Sequence, residues 1–422
     1  QKTYTYFGRL SALKYTNIRF FETQNGDSTQ LNCYVMLTKS KHKSISFELE
    51  GTNSAGDLGA AASVSFQHRN LFRGSETFMV KFRGAYEAIS GLQPGYKNHN
   101  YTEYGVETSI NFPNFLFPFL TSDFKRRIKA TTEFGLQYNY QLRPEFSRTI
   151  ASASWSYKWI QKQKIQHRID LLDISYLYLP WISSQFQEDY INKDKDNYIL
   201  KYNYENRLIV RMGYNYSYNS AGGTLVNNTI TTNSYSIRAG FESAGNILYG
   251  ISKMINMRKN KDGEYAILGI PYAQYLKGDF DFAKNIIIDH RNSLAFHAGI
   301  GIAVPYGNAK VVPFEKRYFS GGANSVRGWS VRNLGPGSFA GDGNFMNQSG
   351  DIKLDASIEY RTRLFWKFRG AAFIDAGNIW TIREYENQPG GVFEFDKFYK
   401  QIAVAYGLGL RLDLDFFVLR FD

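Results

Sequence analysis

A single arginine stands inside a glycine-rich stretch whose spacing fits neither a strand nor a helix. Residues Ser320–Trp329 read SGGANSVRGW, and Gly335-Pro336-Gly337 follows soon after. Because glycine reaches backbone angles that other residues resist, the chain can turn sharply here and present the side chain of Arg327. A guanidinium is permanently charged and donates hydrogen bonds in a planar fork, which suits paired carboxylates. We therefore expect Arg327 to bind acidic side chains.

Two acidic residues downstream are expected to accept these hydrogen bonds. In the strand predicted over Asp351–Arg363, alternation puts Glu359 on the polar face. In the next strand, Ala372–Trp380 (AFIDAGNIW), alternation puts Asp375 on the same face. We therefore predict that Arg327 bonds to both carboxylates. The residues of the motif itself are Gly321, Gly322, Val326, Arg327, Gly328 and Trp329.

No other residue pattern indicates catalysis or metal binding. The chain has no GxSxG, HExxH or phosphate-loop sequence, and we interpret Asp289-His290, an acid beside a histidine, as charges at a strand end. Cys33 is the single cysteine, which excludes an intramolecular disulfide or a cysteine metal cluster, and we expect it to be buried. The sequence therefore predicts a protein that is not an enzyme and has no catalytic residue, metal or cofactor.

The elements that must position these residues are long alternating strands. In Glu133–Leu142 (EFGLQYNYQL) apolar and polar residues alternate strictly, and Ala151–Trp159, Leu208–Tyr218, Asn292–Val304 and Ile402–Leu414 repeat the pattern. Such segments run about 10 to 14 residues, enough for a tilted strand to cross a bilayer. Their apolar faces are rich in aromatic residues and their other faces are charged, which is typical of a membrane barrel with a wet lumen. We predict an all-β, transmembrane antiparallel β-barrel.

Other classes of protein fit the sequence less well. No run approaches the roughly 18 apolar residues of a membrane-spanning helix. The formal charge is +12, but lysine and arginine are scattered along the chain, so nucleic-acid binding is disfavoured. A soluble β-sandwich or sugar-binding propeller stays an alternative, against which stands the absence of a blade-length repeat.

The strand count predicts how the chain is organised. About fifteen strands are expected, starting near Ser44, Ala60, Glu76, Tyr101, Ile128, Arg148, Ile165, Arg207, Thr229, Tyr265, Asn285, Asp351, Arg369, Gln401 and Phe417. Since bacterial barrels of one chain have an even number, we expect sixteen strands in the barrel, with at least one C-terminal strand beyond this sequence. Residues 1–40, with a helix over Tyr6–Tyr15 and strands over Thr16–Glu22 and Gln30–Leu37, are expected to end a small α/β module. The barrel is assigned to residues 44–422, with a loop at 305–350.

The glycine-rich motif, Gly335-Pro336-Gly337 and AFIDAGNIW together resemble the outer-membrane β-barrel assembly family of the BamA/TamA type. The resemblance implies a sixteen-stranded barrel in the outer membrane of a Gram-negative bacterium, preceded by periplasmic polypeptide-transport-associated (POTRA) modules. Residues 1–40 would be the C-terminal part of the last module. The loop would re-enter the barrel and place Arg327 in the lumen, where small residues leave room for it: Ala295, Gly299, Gly301, Ala303, Ala403, Ala405, Gly407 and Gly409.

The same resemblance implies a function in outer-membrane protein assembly. The protein would insert and fold β-barrel clients through a lateral seam, where an open strand edge pairs with a client strand. Its expected partners are unfolded outer-membrane protein clients, the lipid bilayer and accessory periplasmic or lipoprotein subunits, without nucleic acid. A polypeptide-export pore of the same superfamily is the alternative. A diffusion porin would explain the barrel and its charges but neither the N-terminal module nor the VRGW and FIDAGNIW motifs.

Overall fold

The structure, a computed structural model, is built almost entirely from long strands. It describes residues 2–25, 28–54, 57–89, 100–188, 199, 202, 204–221, 233–341, 348–414 and 418–422. The chain forms two compact units. The first holds the described residues up to Trp159 other than Glu145–Arg148, which belong with Ile160–Asp422 in the second unit. No described helix is long and apolar enough to cross a membrane.

The chain begins with a short helix and a long hairpin. Helix α1 spans Lys2–Phe7, strand β1 spans Leu13–Asn25 and strand β2 spans Ser28–Lys39. β1 and β2 pair along their whole length in a separate two-stranded sheet. The helix predicted over Tyr6–Tyr15 is therefore wrong beyond Phe7, because the backbone from Leu13 onward is bonded into the hairpin ladder. Cys33 lies in β2 with its side chain exposed, so its predicted burial is also wrong.

The first unit continues as an antiparallel meander. Strands β3 to β7 each pair with the next strand in the chain, and a short helix, α2, precedes β7. Most of β8 also lies in this unit. The elements are β3 Lys43–Ser54, β4 Asp57–Arg69, β5 Thr77–Ala88, β6 Asn100–Phe112, α2 Ser122–Ile128, β7 Thr131–Leu142 and β8 Phe146–Gln161.

The second unit repeats this arrangement with longer connections. Neighbouring strands pair in chain order from β9 to the end, with a small hairpin, β12 and β13, set outside the main sheet. The strands are β9 Ile165–Ile182, β10 Arg207–Asn219, β11 Ser234–Ala244, β12 Ala266–Ile267, β13 Ile270–Pro271, β14 Tyr275–Ile287, β15 Asn292–Pro305, β16 Ile352–Arg363, β17 Phe368–Trp380, β18 Ala403–Asp413 and β19 Val418–Phe421. The helices are α3 Ser184–Phe186 and α4 Asn246–Met254, with 3-10 turns at Phe314–Lys316 and Phe398–Lys400.

The main antiparallel sheet contains fifteen strands, which confirms the predicted all-β fold and the predicted number of strands. Two of the predicted starts are wrong. The strand expected near Tyr265 begins at Tyr275, because residues 266–271 form the small hairpin instead. The strand expected near Asn285 begins at Asn292, since Asn285 is still paired within β14. The start expected near Thr229 lies outside the described residues, and the start expected near Phe417 agrees with β19, which begins at Val418.

Several of the long strands have an apolar face that is largely exposed in the described chain. In β18, Val404, Tyr406 and Leu408 are 57%, 85% and 80% exposed, and they alternate with small residues on the other face. In β3, Ile45, Phe47 and Leu49 are exposed in the same way. Apolar surface of this extent is unfavourable in water, at roughly 25 cal/mol per Å². It is typical of a sheet whose outer side faces lipid.

Candidate functional site

The glycine-rich motif closes a tight turn in the long connection between β15 and β16. Gly321 and Gly322 have φ angles of +98° and +89°, a region that favours glycine. The backbone N–H of Gly322 donates to the carbonyl oxygen of Trp329 at 2.7 Å, so the segment between them is held as a closed loop. A side chain at Gly321 would collide with the carbonyl oxygen of Ser330. Both glycines are thus needed for the turn that presents Arg327.

Arg327 reaches two carboxylates on the polar face of the sheet. Its Nε and Nη2 donate to the two oxygens of Asp375 at 2.6 and 2.7 Å, and its backbone N–H donates to the same carboxylate at 3.2 Å. Its Nη1 donates to Glu359 at 2.7 Å. The side chain of Arg327 is 7% exposed, and that of Asp375 is fully buried. The structure therefore brings together the arginine of the motif and the two acidic residues, on β16 and β17, named from the sequence.

The guanidinium of Arg327 stacks on an aromatic ring. The Cζ atom of Arg327 lies 3.4 Å from the centre of the Phe373 ring, on the same face of β17 as Asp375. The ring fits because Gly407 on β18 has no side chain; a Cβ atom there would lie 2.7 Å from the ring. Stacking on an aromatic face is a contact that arginine makes well. Phe373 lies two positions before Asp375 on β17, but the sequence did not assign it a role.

The small residues of β18 make room for the loop and for the end of the chain. A Cβ atom on Gly328 would lie 2.8 Å from that of Ala405, so the motif backbone rests directly on the strand. A Cβ atom on Gly409 would collide with the carboxylate of Asp422. That carboxylate accepts a hydrogen bond from Nη1 of Arg327 at 3.3 Å. One loop tip thus contacts β16, β17 and β18 and the residue that follows β19.

Glu359 is shared by three guanidinium groups. Besides Arg327, it accepts from Nε of Arg361 at 2.6 Å and from Nη2 of Arg411 at 2.5 Å. Sequence reasoning missed Arg361 and Arg411 as partners of this carboxylate, and it missed Asp422 as an acceptor for Arg327. Alternation does put Arg361 on the same face as Glu359, two positions along one strand, but it does not assign the contact between them.

The apolar residues of the motif fix the loop by packing. Val326 is fully buried and lies in one cluster with Leu334 and Ala405. Trp329 packs against the same cluster. The motif is therefore held both by the charged contacts of Arg327 and by the apolar packing of Val326 and Trp329.

A second contact holds the start of the same connection. The hydroxyl of Tyr318 donates to Asp279 at 2.7 Å, and its ring occupies the space beside Gly301, where a Cβ atom would lie 2.5 Å from a ring carbon. Nζ of Lys316 pairs with Glu242 at 3.0 Å. The connection is thus docked on the polar face at two separate places.

The contacts of Arg327 hold the loop on the polar face of the sheet. Among the described residues, no cluster of three or more histidine, cysteine, aspartate or glutamate side chains could hold a metal ion. The hydrogen bonds that the Arg327 side chain donates go to carboxylates of the sheet and of Asp422.

Comparison with known proteins gives a family match over most of the chain. Residues 39–422 match the Omp85 superfamily domain. Over 97 residues the chain is 32% identical to the outer membrane protein assembly factor BamA of Neisseria meningitidis serogroup B. That match covers 21% of this chain and 12% of the Neisseria protein, so it spans a small part of its relative's length.

A solved structure of a BamA protein shows the same fold. BamA from Haemophilus ducreyi lacking POTRA domains 1–3 has a TM-score of 0.60 and 16% identity, and the match covers 98% of this chain and 71% of that one. CdiB from Acinetobacter baumannii has a TM-score of 0.49 and 10% identity, with 96% and 60% of the two chains covered.

Proposed function

The chain belongs to the Omp85 superfamily. We propose that it inserts and folds β-barrel client proteins in the outer membrane through a lateral seam. Its uncovered apolar strand faces suit a protein that is surrounded by lipid. The proposed activity is not enzymatic and consumes no nucleotide, since folding of the client would supply the free energy.

The docked loop is the observation that supports this proposal. Through Arg327 and its neighbours, one loop tip joins three consecutive strands and the end of a fourth. A strand edge in lipid is costly because its backbone groups lack partners. A sheet that offers such an edge to a client must therefore stay ordered without a permanent neighbour. We propose that the loop braces the C-terminal strands for this purpose.

The N-terminal part and the partners complete the proposal. We propose that residues 1–40 are the C-terminal part of a POTRA module on the periplasmic side, where unfolded clients arrive. Accessory periplasmic or lipoprotein subunits would deliver those clients. The outer membrane of a Gram-negative bacterium is the proposed location.

The test pairs two measurements on the full-length protein in liposomes. We expect it to accelerate the folding of a small β-barrel client, followed by its gel mobility, relative to empty liposomes. Because the loop is docked on the polar face, we also expect a small ion conductance in a planar bilayer. Steady high conductance without client folding would contradict the proposal and favour a diffusion pore. Passage of one secreted polypeptide across the liposome, without client folding, would favour the export pore.

A further inference from the structure

A cavity of about 650 Å³ opens on the polar face of the second unit, at the end where its strands are joined by short turns. The turn at residues 288–291 links β14 to β15, and the turn at residues 364–367 links β16 to β17. Five of the lining residues are arginines and two are aspartates. The charged lining residues are Arg291, Arg361, Arg363, Arg369, Arg411, Asp289 and Asp413.

The positive charge of this cavity is not balanced by its own acidic residues. Arg369 contacts Asp413, which uses one of the two aspartates. The carboxylate of Asp289 accepts hydrogen bonds from the side chain and backbone of Asn292 and from the backbone N–H of Arg291, which hold the pKa of Asp289 below its ordinary value. The carboxylate of Asp289 is therefore already hydrogen-bonded within its own turn.

The other arginines of the cavity have hydrogen-bond donors that are not all used by carboxylates of the protein. Arg361 and Arg411 share Glu359, which is also bonded to Arg327. Nε of Arg411 is buried without a hydrogen-bond partner. The side chains of Arg291 and Arg363 are exposed, and within the described chain neither forms an ion pair. A concave site lined mainly by one sign of charge concentrates ligands of the opposite sign.

From this geometry we propose that the cavity binds carboxylate-rich segments of an incoming polypeptide. Guanidinium forks match carboxylates two bonds at a time. In barrels of this type the short turns lie on the periplasmic side, from which an unfolded client would come. Val418, the first residue of β19, also lines the cavity, so a bound segment lies next to the last strand of the sheet. The inference rests on the proposed function, because it assigns the incoming chain to a client.

The position of the cavity favours a polypeptide over a lipid headgroup. The lining arginines lie on the polar face, whereas the apolar residues of β18 point to the opposite side of the sheet. A lipid whose headgroup bound in the cavity would have to place its acyl chains on the polar face of the sheet, away from the apolar side. An extended peptide has no such constraint.

The test is an equilibrium titration of the full-length protein in detergent micelles. The probes are a short labelled peptide of alternating Glu and Ser and its counterpart with Gln in place of Glu. We expect the Glu peptide to bind more tightly, with an affinity that falls as salt is added. The double variant Arg291→Gln with Arg363→Gln should weaken this binding at least about tenfold, since each arginine loses a charge-assisted hydrogen bond.

A matched control removes the same charge elsewhere. Arg126 and Arg127 are exposed in the last turn of α2 and do not line the cavity. The variant Arg126→Gln with Arg127→Gln should bind the Glu peptide as the parent does. Equal binding of the two peptides, or equal loss in both double variants, would overturn the proposal. So would displacement of the peptide by inorganic phosphate at the same concentration, which would assign the cavity to phosphate anions.

The titration can fail independently of the proposed function. A protein that binds the Glu peptide through Arg291 and Arg363 but does not accelerate client folding would refute the proposed function alone. A protein that folds clients but binds both peptides equally would refute the assignment of the cavity alone.

Discussion

Arg327→Ala is expected to release the loop and to lower the stability of the second unit substantially. The substitution leaves Asp375, which is fully buried, and Glu359, which is 6% exposed, without their shared cation. Removing one partner of a buried ion pair typically costs about 3 to 5 kcal/mol, because the other charge stays buried and unpaired. It also removes the contact that rests on the Phe373 ring. Client folding should slow together with the loss of docking.

The loss is measured by limited proteolysis of the loop and by urea unfolding in detergent. Arg327→Lys should restore only part of the protection, because an ammonium keeps the charge but lacks the planar fork that bonds both oxygens of Asp375. Full rescue by lysine would mean that charge alone holds the loop.

Arg83→Ala is the matched control for this variant. Arg83 pairs with Glu50 on β3, with side chains that are 32% and 43% exposed. Exposed pairs of this kind contribute about 1 kcal/mol or less, so the control should unfold almost as the parent does. An Arg327→Ala protein that is as protected and as active as the control would refute the docking role of this residue.

Glu359→Gln is the second substitution with a large expected effect. This carboxylate accepts hydrogen bonds from Arg327, Arg361 and Arg411, so neutralising it leaves three guanidinium groups close together. We expect a loss of stability of about 3 to 5 kcal/mol, as for other broken buried pairs. In this variant the three guanidinium groups repel one another. Arg327→Ala differs, because it removes a positive charge from beside Asp375 and Glu359.

Added anions should tell the two variants apart. Sulfate should partly restore the unfolding midpoint of Glu359→Gln beyond its effect on the parent, because an anion can take the place of the lost carboxylate among the arginines. It should give Arg327→Ala no such extra gain. Glu50→Gln, which breaks the exposed pair with Arg83, serves as the control. The same sulfate response in all variants would contradict the charge argument.

Most of the fold could be predicted from the sequence because a strand with one apolar and one polar face has an unmistakable period of two. The errors arose where that signal is weak. In residues 265–271 (YAILGIP) the apolar residues follow one another without alternation, so the sequence does not distinguish a long strand from a small hairpin. In Tyr6–Tyr15, spacing compatible with a helix overlaps the start of β1, and the pairing of Leu13 with Lys39 decides between them.

Some contacts of Arg327 could likewise be predicted from the sequence, and others could not. Glu359 and Asp375 could be named in advance because they lie on adjacent strands and their face follows from alternation. The stacking on Phe373 depends on Gly407 of a third strand leaving room for the ring, which a single strand's pattern does not contain. The sharing of Glu359 by Arg411 depends on how far a long side chain reaches across β17, and this too requires the folded sheet.

Crosslinking the loop to β18 tests the docked loop most directly. Gly328 and Ala405 lie so close that a Cβ atom on the glycine would be 2.8 Å from that of the alanine. A disulfide needs a separation of about 3.8 Å, so the loop has to move outward by about 1 Å to form one. In a Cys33→Ser background, Gly328→Cys with Ala405→Cys should form a disulfide in the membrane-embedded protein under mild oxidation, seen by mass spectrometry. We expect nearly complete crosslinking. Absence of the disulfide, with both cysteines reacting freely with a membrane-impermeant thiol reagent, would contradict it.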